Sequence, residues 1–162
     1  MQEVAHHLQV HAHGLVGPQK DAFARSAYNR YYYGCFLSLR TTFAEMNPQW
    51  AKNPHKSYPE LLNGTISRKL KSERGRASKN GDAELGKIID GALRAVPEIS
   101  KIMTEANAAR IIADYEPSIA VDFTDGARFS LNQVDIGRAH EWHRKIELLT
   151  VSLRSAWRQI NA

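Results

Sequence analysis

Apolar side chains recur at three- and four-residue steps along most of this chain, which is the spacing of one face of an α-helix. The predicted helices cover residues 2–13, about 20–46, about 57–70, about 82–115 and, after a cap at 132–135, up to about 160. Residues 119–131 alternate around an Asp125-Gly126 turn, which predicts a short β-hairpin, with an extended loop as the alternative. The pattern predicts an all-α fold, an antiparallel up-and-down bundle of five to six helices in one domain over residues 1–162.

The segment at residues 24–43 is predicted to be the central helix of this bundle. It holds four tyrosines and three arginines and has no proline. Two apolar stripes overlap on it, one through Tyr31 and Cys35 and the other through Tyr28 and Tyr32. A helix that is apolar around so much of its circumference belongs inside a bundle, whereas a buried arginine needs a partner. A helix with both properties is where a bundle commonly holds its site.

A strongly basic stretch, residues 68–79, contains a single acid, Glu73. Its basic residues are Arg68, Lys69, Lys71, Arg74, Arg76 and Lys79. Because residues 71–82 show no apolar periodicity and include two glycines, we expect a mobile loop there. Two interpretations stay open, a solubilising connector and a contact to the phosphate backbone of a nucleic acid.

Composition adds a net positive charge and few other constraints. The 22 basic and 17 acidic residues give a net charge of +5, which favours an anionic partner. The single cysteine, Cys35, cannot form an internal disulfide. The sequence has no run of about 18 apolar residues and no signal-peptide core. We therefore expect a cytoplasmic protein without a membrane partner.

Several enzyme signatures are absent from the sequence. It contains no G-x-S-x-G, no Walker phosphate loop, no paired CxxC and no HExxH. Two histidine pairs, His7 with His11 and His140 with His143, stand about one helical turn apart, but neither has the further ligands of a tetrahedral metal site. The sequence therefore predicts no metal and no cofactor.

The remaining candidate chemistry lies at the end of the fourth predicted helix. Arg110 and Asp114 stand four residues apart and so share a helix face, and Tyr115 follows them. The residues of the central helix that we expect to face them are Arg30, Tyr32 and Tyr33. Guanidinium groups can grip phosphate, and tyrosine rings can stack on bases. The alternative is an Arg–Asp–Tyr network that only locks two helices together.

Two motifs of the chain occur in a recognisable order and spacing. The first is Asn29-Arg30-Tyr31-Tyr32-Tyr33-Gly34-Cys35-Phe36, followed by Arg40. The second is Arg110-Ile-Ile-Ala-Asp114-Tyr115, before the last predicted helix. The first resembles the S-R-x-Y-Y-A-x-F-H-x-x-R helix of HEPN domains (higher eukaryotes and prokaryotes nucleotide-binding), and the second is similar to the R-x-x-A-D-Y ending that many of them carry. The resemblance covers roughly residues 20–160.

The resemblance implies an activity on RNA. Many HEPN domains are metal-independent endoribonucleases or toxins of toxin–antitoxin, CRISPR-associated or anti-phage systems. By similarity, Arg110 would stabilise the charge that develops on the phosphorane, with Asp114 and Tyr115 as the further catalytic candidates. The candidates for RNA contact are Arg30, Tyr32, Tyr33, Arg40, Arg68, Lys69, Lys71, Arg74, Arg76 and Lys79. The resemblance also implies a homodimer and a partner protein such as an antitoxin or a nucleotidyltransferase.

The chain departs from the family pattern at the histidine of the cleavage motif. Residues 111–118 contain no histidine, and Leu37 stands where a histidine often follows the tyrosine run. A neutral tyrosine is a poor general base, and Asp114 can serve only if Arg110 does not hold it as an anion of low pKa. Three functions therefore stay open: an RNA-cleaving enzyme, a catalytically inactive HEPN-like subunit that binds RNA or nucleotide or regulates a partner, and an oligomerising helical protein.

Overall fold

The structure, a computed structural model, describes residues 1–123 and 128–162, and most of these are helical, as the apolar spacing predicts. The helices are α1 (Gln2–His13), α2 (Gly17–Met46), α3 (Tyr58–Leu61), α4 (Ser67–Lys79), α5 (Ala83–Tyr115) and α6 (Ile136–Ile160). A π-helical turn, Leu62–Ile66, connects α3 to α4 without a break. Two 3₁₀ turns, Trp50–Lys52 and His55–Ser57, precede α3. Within the described ranges, no helix combines the length and the apolar character that crossing a bilayer requires.

Most observed helix ends agree with the predicted ones. Helix α1 has the predicted bounds, α2 ends at Met46 and α5 ends at Tyr115. Helix α2 begins earlier than predicted, at Gly17, because Gly17 adopts a φ of 59° and Pro18 fits the first turn of a helix, where its missing N–H has no partner to lose. Helix α5 continues through Pro97.

The predicted loop at residues 71–82 is wrong, because most of it is the second half of α4. Only Leu70 and Ala77 of this helix are buried, and they stand two turns apart, so the sequence shows no dense apolar period. Gly75 faces open space on the solvent side, where its only cost is its low helix propensity, about 1 kcal/mol relative to alanine. The chain turns only after α4, at Gly81, which adopts a φ of 70°.

A small antiparallel sheet separates α5 from α6 along the chain. Its strands are β1 (Val121–Asp122), β2 (Ser130–Leu131) and β3 (Val134–Asp135), in the order β1-β2-β3. The pairing of β1 with β2 confirms the predicted hairpin, although its Asp125-Gly126 turn lies outside the described residues. Asn132 and Gln133 connect β2 to β3 with φ values of 47° and 66°, as in the two-residue turns that favour tight hairpins.

The chain divides into two compact units. Unit 1 comprises Met1–Leu37 and Thr104–Arg144, and unit 2 comprises Ser38–Met103 and Lys145–Ala162. Helices α2, α5 and α6 each contribute residues to both. The predicted catalytic residues belong to unit 1, and the basic stretch belongs to unit 2.

The tyrosines of α2 form the core of unit 1. Tyr28, Tyr31 and Tyr32 are fully buried, as the two overlapping stripes predict. The hydroxyl of Tyr28 donates a 2.6 Å hydrogen bond to the carbonyl of Val134 and so ties α2 to β3. Cys35 is also fully buried, and burial raises the pKa of its thiol to about 12, which makes it an inert core residue.

Candidate functional site

The three predicted catalytic residues lie together at the end of α5, in unit 1. The Nε atom of Arg110 lies 2.9 Å from Oδ2 of Asp114 without a hydrogen bond between them, so the contact is ionic. The Nη2 atom of Arg110 donates a long, 3.5 Å hydrogen bond to the hydroxyl of Tyr115, whose ring centre is 5.2 Å from the guanidinium carbon. The Arg110 side chain is 21% exposed, and Tyr115 is 64% exposed. The guanidinium is therefore half-buried beside an open aromatic ring.

The second carboxylate oxygen of Asp114 is held by α2. The side-chain nitrogen of Asn29 donates a 2.6 Å hydrogen bond to Oδ1 of Asp114. The amide oxygen of Asn29 is buried and accepts no hydrogen bond from the described residues. Since Asn29 and Arg110 engage both oxygens of Asp114, this carboxylate is poorly placed to take a proton from a substrate. The network joins α2 to α5 within unit 1, as the helix-locking interpretation expects.

The neighbours of Arg110 keep its side chain charged. Burial by itself lowers the pKa of this guanidinium, but the charge of Asp114, the hydroxyl of Tyr115 and a contribution from Tyr33 outweigh burial and raise the pKa above its ordinary value. Arg110 can therefore hold an anion, but it cannot exchange a proton at physiological pH.

The other predicted RNA-contacting residues of α2 differ in exposure. Arg30 is exposed, with its guanidinium carbon 6.0 Å from the ring centre of half-buried Tyr33. Tyr32 is fully buried, packed edge-on against Tyr33 and stacked on Phe36, so it offers no ring face to a base. Arg40 belongs to unit 2, where its Nε atom donates a 3.2 Å hydrogen bond to the carbonyl of residue 51. In unit 1, Tyr33 and Tyr115 are therefore the candidate rings for stacking.

Sequence reasoning missed the structural role of Arg25. Its side chain is 12% exposed and donates hydrogen bonds to the carbonyls of Ile112, Glu116 and Ile119, at 3.2, 3.3 and 2.5 Å. It also forms a 2.6 Å ion pair with Asp21 on its own helix. At the carbonyl end of α5, the guanidinium adds to the backbone N–H groups that already donate to the carbonyls of Ile112 and Glu116. Arg25 thus positions the end of α5, where Arg110 and Tyr115 lie.

The histidines of α1 and α6 take part in packing within unit 1. The hydroxyl of Tyr31 lies 2.5 Å from Oε1 of Gln9 and 2.9 Å from Nδ1 of His140. The ring of His140 also meets the ring of His6 edge-on, with 5.3 Å between their centres. Among the described residues, no three His, Cys, Asp or Glu side chains are grouped so that they could hold a metal ion.

Half of the basic residues of the stretch at 68–79 are paired with carboxylates. Glu73 accepts hydrogen bonds from Lys69 at 2.8 Å and Arg76 at 3.0 Å, and the bond from Lys69, with help from Arg76, lowers the pKa of Glu73. Arg74 pairs at 2.8 Å with Asp90 of α5, and this hydrogen bond lowers the pKa of Asp90. The pair of Arg74 and Asp90 connects α4 to α5 within unit 2, whereas the contacts of Glu73 lie within α4.

The remaining basic residues lie on the solvent side of α4. We call this surface the outer face of α4, and its residues are Arg68, Lys71, Ser72, Gly75, Ser78 and Lys79, all exposed. Arg68 donates a 3.2 Å hydrogen bond to the carbonyl of Gly64. Among the residues described, no carboxylate lies within ion-pair distance of Arg68, Lys71 or Lys79. The outer face therefore carries uncompensated positive charge.

Comparisons of this chain with models of protein families, with curated proteins and with solved structures found no match. The function is therefore assigned from the side chains at the end of α5 and on the outer face of α4.

Proposed function

We propose that this chain binds RNA through the outer face of α4. The observation that carries the proposal is the set of three cations, Arg68, Lys71 and Lys79, with no carboxylate near them in the described structure. At 1.5 Å per residue, the distance along the helix from Arg68 to Lys79 is about 16 Å, which is long enough to follow several phosphates. The small side chains of Ser72, Gly75 and Ser78 lie between the cations and leave room for a sugar–phosphate backbone.

The cluster of Arg110 and Tyr115 is proposed as a second, weaker RNA contact. An exposed tyrosine ring next to a guanidinium can stack on an unpaired base, which favours single-stranded RNA over a duplex. Asp114 offsets part of the charge of Arg110, so we expect this contact to contribute less than the outer face of α4.

Cleavage of RNA is the second candidate function, favoured by the half-buried guanidinium of Arg110 and by the resemblance to HEPN domains. In a metal-independent mechanism, Arg110 would stabilise the charge that develops on the phosphorane. Because both oxygens of Asp114 are engaged, the general base would come from a group outside this cluster. With cleavage, the chain would act as a ribonuclease or toxin of a defence or toxin–antitoxin system; without it, the chain would be an RNA-binding or regulatory subunit.

The same proposal includes the setting in which the protein works. We infer a cytoplasmic homodimer that acts beside a partner protein such as an antitoxin or a nucleotidyltransferase. The free, buried Cys35 is compatible with a reducing compartment.

The binding proposal is tested with a labelled single-stranded RNA, by fluorescence anisotropy over a series of salt concentrations. For the double variant Lys71→Ala/Lys79→Ala, we expect the affinity at low salt to fall about tenfold and the slope of log K against log[salt] to decrease by about 1.4, since each lost phosphate contact contributes about 0.7. The matched control is Lys101→Ala/Lys145→Ala, which removes the same charge from other exposed positions of unit 2. Equal effects of the two double variants, or no RNA binding by the wild type, would overturn the proposal.

Cleavage is tested by incubating the same RNA with the protein in EDTA and separating the products on a denaturing gel. A ribonuclease yields products that Arg110→Ala abolishes while its RNA affinity changes less than threefold or so. Intact RNA after long incubation, together with salt-dependent binding, assigns the protein to the non-cleaving class.

A further inference from the structure

A cationic groove in unit 2 plays no part in the RNA-binding proposal. It is a shallow groove, open to solvent, along one face of the second half of α6, with a volume of about 370 Å³. The residues that line it are Val151, Arg154, Ser155, Arg158 and Gln159. Arg154 and Arg158 stand one helical turn apart, so their guanidinium groups can reach the same ligand.

A carboxylate of the chain itself lies against this arginine pair. Oε1 of Glu45, in the last turn of α2, is 3.4 Å from Nη1 of Arg154, and its Oε2 is 4.0 Å from Nη2 of Arg158. Both distances exceed the roughly 2.7–2.9 Å of a well-formed charge-assisted hydrogen bond. Two guanidinium groups thus share one loosely held carboxylate, and the groove keeps a net positive charge.

The position of Glu45 is set by its backbone. The indole nitrogen of Trp157 donates a 3.0 Å hydrogen bond to the carbonyl of Met46, the residue after Glu45. The ring of Trp157 also packs edge-on against the ring of Trp50, with 5.2 Å between their centres. The Glu45 side chain itself is 44% exposed, so it can rotate into solvent without disturbing these contacts.

We propose that this groove binds a phosphate monoester, which displaces Glu45 from Arg154 and Arg158. A phosphate monoester carries nearly two negative charges at pH 7 and three terminal oxygens, so it competes for two guanidinium groups better than one carboxylate does. The hydroxyl of Ser155 and the amide of Gln159 offer two further donors. Val151, 60% exposed, provides an apolar wall for the organic part of the ligand.

The decisive variants change affinity in opposite directions. The probe is glycerol 3-phosphate, and its binding is followed by calorimetry and by the tryptophan fluorescence of the chain. We expect Arg154→Ala or Arg158→Ala to weaken binding about tenfold, because each removes a charge-assisted contact. Glu45→Gln is expected to tighten binding about threefold, because it removes the competing charge. A loss of folding could not produce tighter binding.

The matched control is Lys145→Ala, which removes one positive charge from an exposed position earlier on the same helix. We expect it to change the affinity for glycerol 3-phosphate by less than about twofold. Absence of binding at millimolar probe, weaker binding in Glu45→Gln, or equal losses in Lys145→Ala and Arg154→Ala would each overturn the proposal.

Two sources of a phosphate monoester are separated by a second comparison. If the terminal phosphate of an RNA occupies the groove, removing that 5′-phosphate lowers the affinity of the wild type but not that of Arg154→Ala. If the wild type binds the RNA with and without its 5′-phosphate equally well, the ligand of the groove is a small phosphorylated molecule. The proposed phosphate site does not depend on RNA binding by α4. We therefore expect Lys71→Ala/Lys79→Ala to bind glycerol 3-phosphate with unchanged affinity.

Discussion

The end of α5 and the outer face of α4 are both rich in cations, yet the two regions use them differently. In unit 1, Arg25 is consumed by three backbone carbonyls, and Arg110 is held by Asp114 and Tyr115. In unit 2, Glu73 and Asp90 pair with three of the six cations of the stretch at 68–79, and the outer face of α4 keeps its charge. At the end of α5 the cations mainly stabilise the fold, and only the guanidinium of Arg110 is partly accessible. On the outer face of α4 the cations point into solvent and are available to an anion.

This difference shows why counting basic residues is a poor measure of anion binding. Six of the residues at 68–79 are basic, but only those without a carboxylate partner can exchange water and counterions for phosphate at little cost. Basic residues that are already paired with a carboxylate contribute to stability or position instead. The available charge is therefore set by the partners of each side chain.

The largest expected effect tests whether Arg25 stabilises the end of α5. Arg25→Ala removes three hydrogen bonds to the carbonyls of Ile112, Glu116 and Ile119, although the first two keep a backbone donor, so we expect the free energy of unfolding to fall by about 2–4 kcal/mol in urea denaturation. The control, exposed Arg30→Ala, should change it by less than about 0.5 kcal/mol. If both variants lose the same stability, Arg25 does not hold the end of α5.

A smaller effect is expected when the carboxylate that pairs with Arg110 is removed, because the end of α5 then resembles the unpaired outer face of α4. Asp114→Asn removes the charge that holds Arg110, so we expect stability to fall by about 1 kcal/mol while RNA affinity rises about threefold. Both are measured on the same protein, by denaturation and by fluorescence anisotropy. In the double variant Asp114→Asn/Arg110→Ala the gain in affinity should disappear. An unchanged or reduced RNA affinity in Asp114→Asn would show that Arg110 does not face RNA.

The smallest effect concerns pH and the carboxylate of α4. The folded-state pKa of Glu73 lies below its unfolded value of about 4.3, so its contribution to stability is present above that value and is lost as the pH falls through the folded pKa. We expect Glu73→Gln to lower the free energy of unfolding at pH 7 by less than about 0.5 kcal/mol. The wild type and this variant should converge in denaturation curves as the pH falls through the folded-state pKa of Glu73. Curves that diverge on acidification would contradict the assigned ion pairs.

Residues that end helices, and regular apolar spacing, made several elements predictable from the sequence. Gly14 and Pro48 end or follow the first two helices, and the long apolar period of α6 needs no knowledge of the rest of the fold. The pairing of Arg110 with Asp114 was also foreseeable, because four residues on a helix bring two side chains to one face.

The errors have equally physical causes. Helix α4 was missed because it buries only one narrow stripe, and its Lys69–Glu73 spacing was a better signal than its apolar content. The role of Arg25 was out of reach, since its carbonyl partners lie about 90 residues away along the chain. The same holds for Glu45 and Arg154, which meet only through the tertiary packing of unit 2. No periodicity in the sequence reports such pairs.

The π-helical turn at Leu62–Ile66 fixes the rotational phase of everything that follows it in this helical segment. A π turn inserts one extra residue, so α4 is rotated by about 100° relative to an uninterrupted α-helix. Removing that extra residue would swing Leu70 and Ala77 towards water and carry Lys71 and Lys79 to another side. The direction in which the cations of α4 point is thus controlled by one extra residue in the π-helical turn, which itself carries no charge.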